Sequence, residues 1–98
     1  MTEIVLDRSA RSVSFRGHAG FAPRGRDPVC AAISMLMYTL CEIPGAKFEP
    51  GEASALVRVD TERESELEAI CRGLRLLARC YPGCVRFIER GGEGKERT

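Results

Sequence analysis

The sequence lacks several features that common classes of protein depend on. Tryptophan is absent and aromatic residues make up only 6% of the 98 residues, so a base-stacking surface for nucleic acid is poorly supplied. Lys and Arg together number 15 against 14 Asp and Glu, and the net charge of +1 argues against binding held mainly by phosphate contacts. No apolar run reaches the roughly 18 residues of a membrane-spanning helix. We therefore expect neither direct contact with nucleic acid nor a membrane.

The short chain and the absence of a leader limit the organisation further. Residues 1–7 contain acidic side chains and no apolar core of a signal peptide, which predicts a cytoplasmic protein in a reducing compartment. A composition of 44% hydrophobic and 30% charged residues is typical of a globular protein with one modest core. We expect a single domain over 1–90 and a flexible, polar C-terminal tail over 91–98.

Five cysteines form an odd count that leaves at least one thiol unpaired. Cys71 falls in the apolar stripe of a predicted helix, which favours a core position, and Cys41 is interpreted as a thiol at a helix end. The spacing of Cys80 and Cys84 leaves open a disulfide or part of a metal site. One such pair with a single distant histidine falls short of the four ligands of structural zinc. We expect no metal and no cofactor.

Hydrophobic periodicity predicts seven elements in the order β-β-α-β-β-α-β. Alternating apolar residues predict strands at 3–8 and 12–17, a second hairpin within 46–60 that turns at Pro50–Glu52, and a last strand from Cys84 to Glu89. Two helices against one face of a sheet are the natural way for such elements to share a core. The predicted fold is therefore α+β, a two-layer arrangement of a small mixed sheet of about five strands with two helices.

Both predicted helices have start signals. Asp27 is a good N-cap for the first helix, and Pro28 fits its first position, where a missing N–H has no cost. Thr61 and Glu64 have the spacing of a capping box at the start of the second helix. Each helix carries one apolar stripe at helical spacing, which predicts one buried face.

The chemistry of the sequence centres on one cysteine and the only histidine. Cys30 is the third residue of the first helix, where free N–H groups and the helix dipole stabilise a thiolate. His18 ends the second strand, and the two side chains form a nucleophile and base if they come within hydrogen-bond reach. Backbone N–H groups at the helix start are expected to bind the oxyanion. Asp27 either orients His18 or caps the helix, and Ser34 either bonds to the site or is an ordinary helix-face hydroxyl.

These residues together resemble the ribosomal-processing cysteine proteases. The resemblance rests on a Gly-His-Ala block at 17–19, a glycine-containing loop, and the pattern Asp-x-Val-Cys-Ala-Ala-x-Ser at 27–34, and it extends along about residues 3–89. Pro28 departs from the aliphatic residue usual in the family. The resemblance implies a catalytic dyad, supporting residues beside it, and a flexible segment 19–26 that orders around the substrate. The implied catalytic dyad is His18 and Cys30, and the implied supporting residues are Asp27 and Ser34. The implied residues of the flexible segment are Ala19, Gly20 and Gly25.

The resemblance also implies a function. Members of the family remove a short N-terminal extension from a large-subunit ribosomal protein, and they tend to be homodimers. Two alternatives remain open, which are a ribosome-associated binding module with an idle dyad and a redox protein that uses Cys80 and Cys84. The reactivity of Cys30 distinguishes the protease from the binding module, because an idle thiol titrates near the ordinary pKa of about 8.5.

Overall fold

The computed structural model describes residues 1–23 and 25–91 and confirms the predicted fold. The predicted tail lies outside the described residues apart from Gly91. None of the helices within the described ranges is long and apolar enough to cross a membrane. The main elements are β1 (Thr2–Asp7), β2 (Ser12–Gly17), α1 (Pro28–Cys41), β3 (Lys47–Gly51), β4 (Ser54–Arg58), α2 (Glu64–Cys80) and β5 (Val85–Arg90).

The strands form one five-stranded sheet in the order β3-β4-β2-β1-β5. β5 runs parallel to β1, whereas the other three pairings are antiparallel, so the sheet is mixed. The antiparallel pairs follow from short connections, and the parallel pair requires the long crossover that α2 supplies. β1 and β2 consequently lie in the interior of the sheet, and β2 delivers its C-terminal end to the side where α1 begins.

The core lies between the sheet and the two helices. Along β1, buried and half-buried residues alternate, as the two faces of a strand require. The helices contact each other closely at Gly73, where an added Cβ would lie 3.2 Å from a methyl group of Leu36. The core residues that the sheet, α1 and α2 bury are Ile4, Leu6, Val13, Phe15, Val57, Val85, Val29, Ile33, Leu40, Leu67, Cys71 and Leu74.

Two local predictions were wrong. Pro50 and Gly51 belong to β3, and the hairpin turns at Glu52 and Ala53. An edge strand such as β3 tolerates proline, because it has a strand on one side only and its missing N–H can face solvent. The predicted capping box is also absent, because residues 61–63 form a short 3-10 turn that starts from Asp60 and leads into α2 without a side-chain cap.

Candidate active site

The C-terminal end of β2 and the start of α1 border a cavity of about 780 Å³. His18 is exposed there and Cys30 is half-buried, so a peptide in the cavity has access to both side chains. The cavity collects all the residues that the sequence singled out except Ala19, which is buried beside it. The predicted residues that line the cavity are His18, Gly20, Gly25, Asp27, Cys30 and Ser34.

Gly17 sets the direction in which the chain leaves β2. Its φ of +90° lies in the region that favours glycine, and an added Cβ would overlap the carbonyl oxygen of Met1. A side chain at this position would therefore push apart the ends of β1 and β2. His18 follows directly, so the position of the imidazole depends on this backbone turn.

Asp27 joins the start of α1 to the loop that precedes it. One oxygen, Oδ1, accepts hydrogen bonds from the backbone N–H groups of Val29 at 2.9 Å and Cys30 at 3.0 Å. The other, Oδ2, accepts from Phe21 at 2.9 Å and Ala22 at 3.2 Å. Both oxygens therefore accept hydrogen bonds from the backbone. These bonds cap the helix and anchor the loop, and within the described residues none of them involves His18.

The electrostatics of Asp27 follow from these bonds. Burial by itself would raise the pKa of Asp27, but the four N–H donors outweigh burial and hold the pKa below its ordinary value. A carboxylate that accepts several backbone bonds stays ionised at neutral pH. Its negative charge at the first turn of α1 is also attracted to the positive end of the helix dipole, which stabilises the start of the helix.

The sulfur of Cys30 accepts a hydrogen bond from the backbone N–H of Ala19, with the nitrogen 3.3 Å from Sγ. The residue adjacent to His18 in the chain is thus tied directly to Cys30. The N–H therefore directs the positive end of its bond dipole at the sulfur. The first turn of α1 adds the field of the helix dipole at the same atom.

His18 and Ser34 have no side-chain hydrogen bonds to other described residues. His18 is exposed at the rim of the cavity, and Ser34 is half-buried one turn after Cys30 on the same side of α1. The structure therefore brings both residues to the cavity of Cys30 without fixing either side chain by a polar contact.

Sequence reasoning missed the far wall of the cavity. The hairpin of β3 and β4 contributes small residues to this wall, whereas β2 and α1 contribute apolar side chains elsewhere in the lining. Nothing local in the sequence marks the hairpin residues, because they reach the cavity only through the pairing of β4 with β2. The additional lining residues include Phe15, Ile33, Met37, Gly51, Ala53, Ser54 and Ala55.

All five cysteines are free thiols, so Cys80 and Cys84 are not joined. Burial raises the pKa of Cys71 to about 11, and burial together with the nearby carboxylate of Glu42 raises the pKa of Cys41. These two thiols are therefore poor nucleophiles at neutral pH. No group of three or more metal-ligating side chains occurs in the part of the chain that the structure describes.

Comparison with solved structures finds chains of similar fold. The ribosomal processing protease Prp from S. aureus with a covalently linked product peptide superimposes with a TM-score of 0.71 at 18% identity, covering 91% of this chain and 97% of that one. The same S. aureus protease with a substrate peptide gives 0.64 at 16% identity, with 91% and 97% covered. SMU.848 from Streptococcus mutans gives 0.62 at 21% identity, with 91% and 93% covered.

Comparison with curated proteins finds no match. Comparison with protein families matches residues 1–86 to the family described as cysteine protease Prp. That range includes every element from β1 to α2, the start of β5, and the whole cavity around Cys30. The chain therefore belongs to the Prp family of cysteine proteases.

Proposed function

We propose that this protease removes the N-terminal extension of a large-subunit ribosomal protein, with Cys30 as nucleophile and His18 as base and acid. The observation that supports the proposal is the shared cavity, which both the only histidine and a helix-start cysteine line from separate elements. The two S. aureus relatives are described as ribosomal processing proteases in complex with a substrate peptide and with a linked product peptide. Both descriptions fit a peptide bound across a cavity of this kind.

The chemistry follows the general course of thiol proteases. His18 accepts the proton of Cys30, and the thiolate attacks the carbonyl carbon of the scissile bond to form a C–S bond and an oxyanion. When the C–N bond breaks, the His18 imidazolium gives its proton to the leaving amine, and a thioester remains. Water, deprotonated by His18, then attacks the thioester, which releases the new C-terminal carboxyl and regenerates Cys30.

The shape of the cavity supports an extended peptide as the substrate. One wall is the apolar side of α1 around Ile33 and Met37, and the other is formed by small residues of the hairpin, Gly51, Ala53, Ser54 and Ala55. Small residues leave room for the backbone of a bound chain. Apolar walls favour a substrate that presents hydrophobic side chains on either side of the scissile bond.

An intact-mass cleavage assay tests the proposal. The substrate is a large-subunit ribosomal protein from the same organism with its full N-terminus, and the enzymes are wild type, Cys30→Ala, His18→Ala and Cys80→Ala. Cys80 is an exposed thiol on the last turn of α2, so its variant is the matched control. We expect wild type and Cys80→Ala to release one N-terminal fragment, and the two dyad variants to release none.

The alternative of a binding module with an idle dyad gives a different result. In that case an extended substrate binds but stays intact with every variant, and Cys30 reacts with iodoacetamide no faster than Cys80 at pH 6.5. A working dyad instead makes Cys30 the faster thiol at that pH, because His18 accepts its proton. Intact substrate together with an unreactive Cys30 would overturn the proposal.

Assembly and location also remain proposals. We propose a homodimer, one domain over residues 1–90, and a cytoplasmic protein that needs neither cofactor nor nucleic acid. Sedimentation velocity of the full chain measures the assembly directly. A single species at the mass of one 10.8 kDa chain across micromolar concentrations would contradict the dimer.

A further inference from the structure

The first turn of α1 has no free donor for an oxyanion. Pro28 lacks an N–H, and the N–H groups of Val29 and Cys30 both donate to Oδ1 of Asp27. The next N–H, that of Ala31, donates to the carbonyl oxygen of Asp27 at 3.0 Å. The expectation that the helix start binds the oxyanion therefore does not hold, and the donor must come from another element.

The backbone N–H of Ala19 is the donor beside Cys30 that the helix start does not provide. Its nitrogen lies 3.3 Å from the Cys30 sulfur, and Ala19 is 3% exposed, so water competes little for this donor. The donor is also held firmly from both sides. On one side the N–H of Gly17 donates to the carbonyl oxygen of Ala53 at 3.0 Å, and on the other the N–H groups of Phe21 and Ala22 donate to Asp27.

We propose that the backbone N–H of Ala19 is the oxyanion donor of this protease, which rests on the proposed role of Cys30 as nucleophile. When the thiolate attacks, its electron pair forms the C–S bond and the carbonyl π pair moves to oxygen. The oxyanion is bonded to the same carbon as the sulfur, so a donor aimed at the sulfur needs only a small shift to reach the oxygen. As the sulfur loses its negative charge, the hydrogen bond from the Ala19 N–H shifts from the sulfur to the oxygen that gains the charge. This bond therefore stabilises the transition state more than the ground state.

A backbone donor is removed cleanly by an ester. Because Cys30 is a native ligation site, the chain is made from a synthetic 1–29 thioester and a 30–98 segment, with L-lactic acid in place of Ala19. This change keeps the methyl group and replaces the N–H by oxygen. The matched control carries L-lactic acid in place of Ala10, whose N–H donates to Asp7 in the β1–β2 turn, remote from the cavity.

Two reactions of Cys30 separate the oxyanion from the thiolate. Iodoacetamide alkylates sulfur by displacement without an oxyanion, whereas p-nitrophenyl acetate acylates it through one. We expect the ester at 19 to lower the ratio of acylation to alkylation by at least about 10-fold, and to lower kcat for peptide cleavage roughly 10²–10³-fold at the pH plateau. The rates of Cys30→Ala protein are subtracted to remove the contribution of the other thiols.

Each outcome decides the proposal. Equal losses of acylation and alkylation would show that the N–H serves only the thiolate, and unchanged rates would show that it serves neither; both results overturn the proposal. The same ratio drop in the Ala10 ester would overturn it too. Because p-nitrophenyl acetate needs no ribosomal peptide, a protein that fails to cleave the ribosomal substrate but shows the ratio drop would contradict the proposed substrate and leave the oxyanion donor standing.

Discussion

Asp27 shows how one side chain serves both a helix and a loop. A carboxylate has two oxygens, and here each accepts two backbone N–H groups on different segments. We expect Asp27→Ala to lower Tm by about 4–8 °C, since a lost N-cap alone has an effect of that size in a small domain. Thermal unfolding by circular dichroism measures it. Asp60→Ala is the control, because Asp60 stands at an N-cap position without a capping bond and should leave Tm nearly unchanged.

The lowered pKa of Asp27 makes its stabilisation depend on pH. The folded state holds the pKa below the ordinary 3.8, so the unfolded state takes up a proton first as the pH falls. The stabilisation is therefore full above pH 3.8 and is lost as the pH falls through the folded pKa. We expect the Tm difference between wild type and Asp27→Asn to be constant from pH 5 to 8 and to shrink at pH 3 and below. A difference that persists unchanged at pH 2 would contradict this assignment.

Cys71 makes the opposite prediction at high pH. Its folded pKa of about 11 lies above the ordinary value of a thiol, so the unfolded state loses its proton first as the pH rises. The stability it contributes is full below about pH 8 and falls by about 2 kcal/mol by pH 11. Urea unfolding in reductant at pH 8 and 10.5 should show this extra loss in wild type and in Cys80→Ala. Cys71→Ala starts less stable and should lack the extra loss.

At the scale of the element, local signals succeeded where both partners lie close in sequence. Asp27, Pro28 and the apolar stripe after them specify the start of α1, and the structure confirms the cap. The position of His18 and Cys30 beside one cavity was also within reach of a sequence argument, because one loop joins their elements. The hairpin wall at 51–55 was not, because its place in the cavity depends on which strand β4 joins.

Gly17 is the element boundary most sensitive to change. Gly17→Ala puts a Cβ into the Met1 carbonyl at a φ that alanine avoids, so we expect a loss of more than about 1 kcal/mol in the free energy of unfolding. The kcat for peptide cleavage should fall by more than the loss of folded protein explains, because His18 moves with the backbone. Urea unfolding and kcat at saturating substrate measure the two effects. Gly83→Ala is the control, since no atom lies within 4 Å of its added Cβ, and it should change neither quantity appreciably.

An ion-pair cluster joins α2 to β5 on the side away from the cavity. The guanidinium of Arg75 bonds to Glu68 at 2.8 Å and to Glu89 at 2.9 Å, and Arg8 bonds to the same two carboxylates. Because these side chains are 25–40% exposed, we expect a coupling of only about 0.5–1 kcal/mol between Arg75 and Glu89. A double-mutant cycle with Arg75→Met and Glu89→Gln measures it.

The control for this cycle is the exposed pair of Arg63 and Glu66, 3.1 Å apart and three residues apart in sequence. Its coupling should be about 0.3 kcal/mol. Both couplings should weaken in 1 M NaCl because salt screens exposed charges. A coupling at Arg75 that is no larger than the control would show that the cluster adds nothing to the junction of α2 and β5.

At the scale of the whole molecule, the active site depends on strand order. The proposed nucleophile and base come from the first third of the chain, whereas the opposite wall comes from the hairpin after α1. These parts meet because β2 pairs with β1 on one side and with β4 on the other. The element order was predictable, but the order of strands was not, because alternation tells which face a residue occupies and not which neighbour its strand joins.

The parallel pairing of β5 with β1 gives the last prediction. β5 pairs along all six residues of β1, and its Val85 is 2% exposed in the core. Without β5, β1 becomes an edge strand and α2 loses the sheet surface on which Arg75 covers Phe87. We expect a chain of residues 1–84 to lack a cooperative thermal transition by circular dichroism, and a chain of residues 1–91 to melt like the full protein. A cooperative melt of the 1–84 chain would show that β1–β4 and the two helices suffice for the fold, and that β5 is an addition to a core already complete.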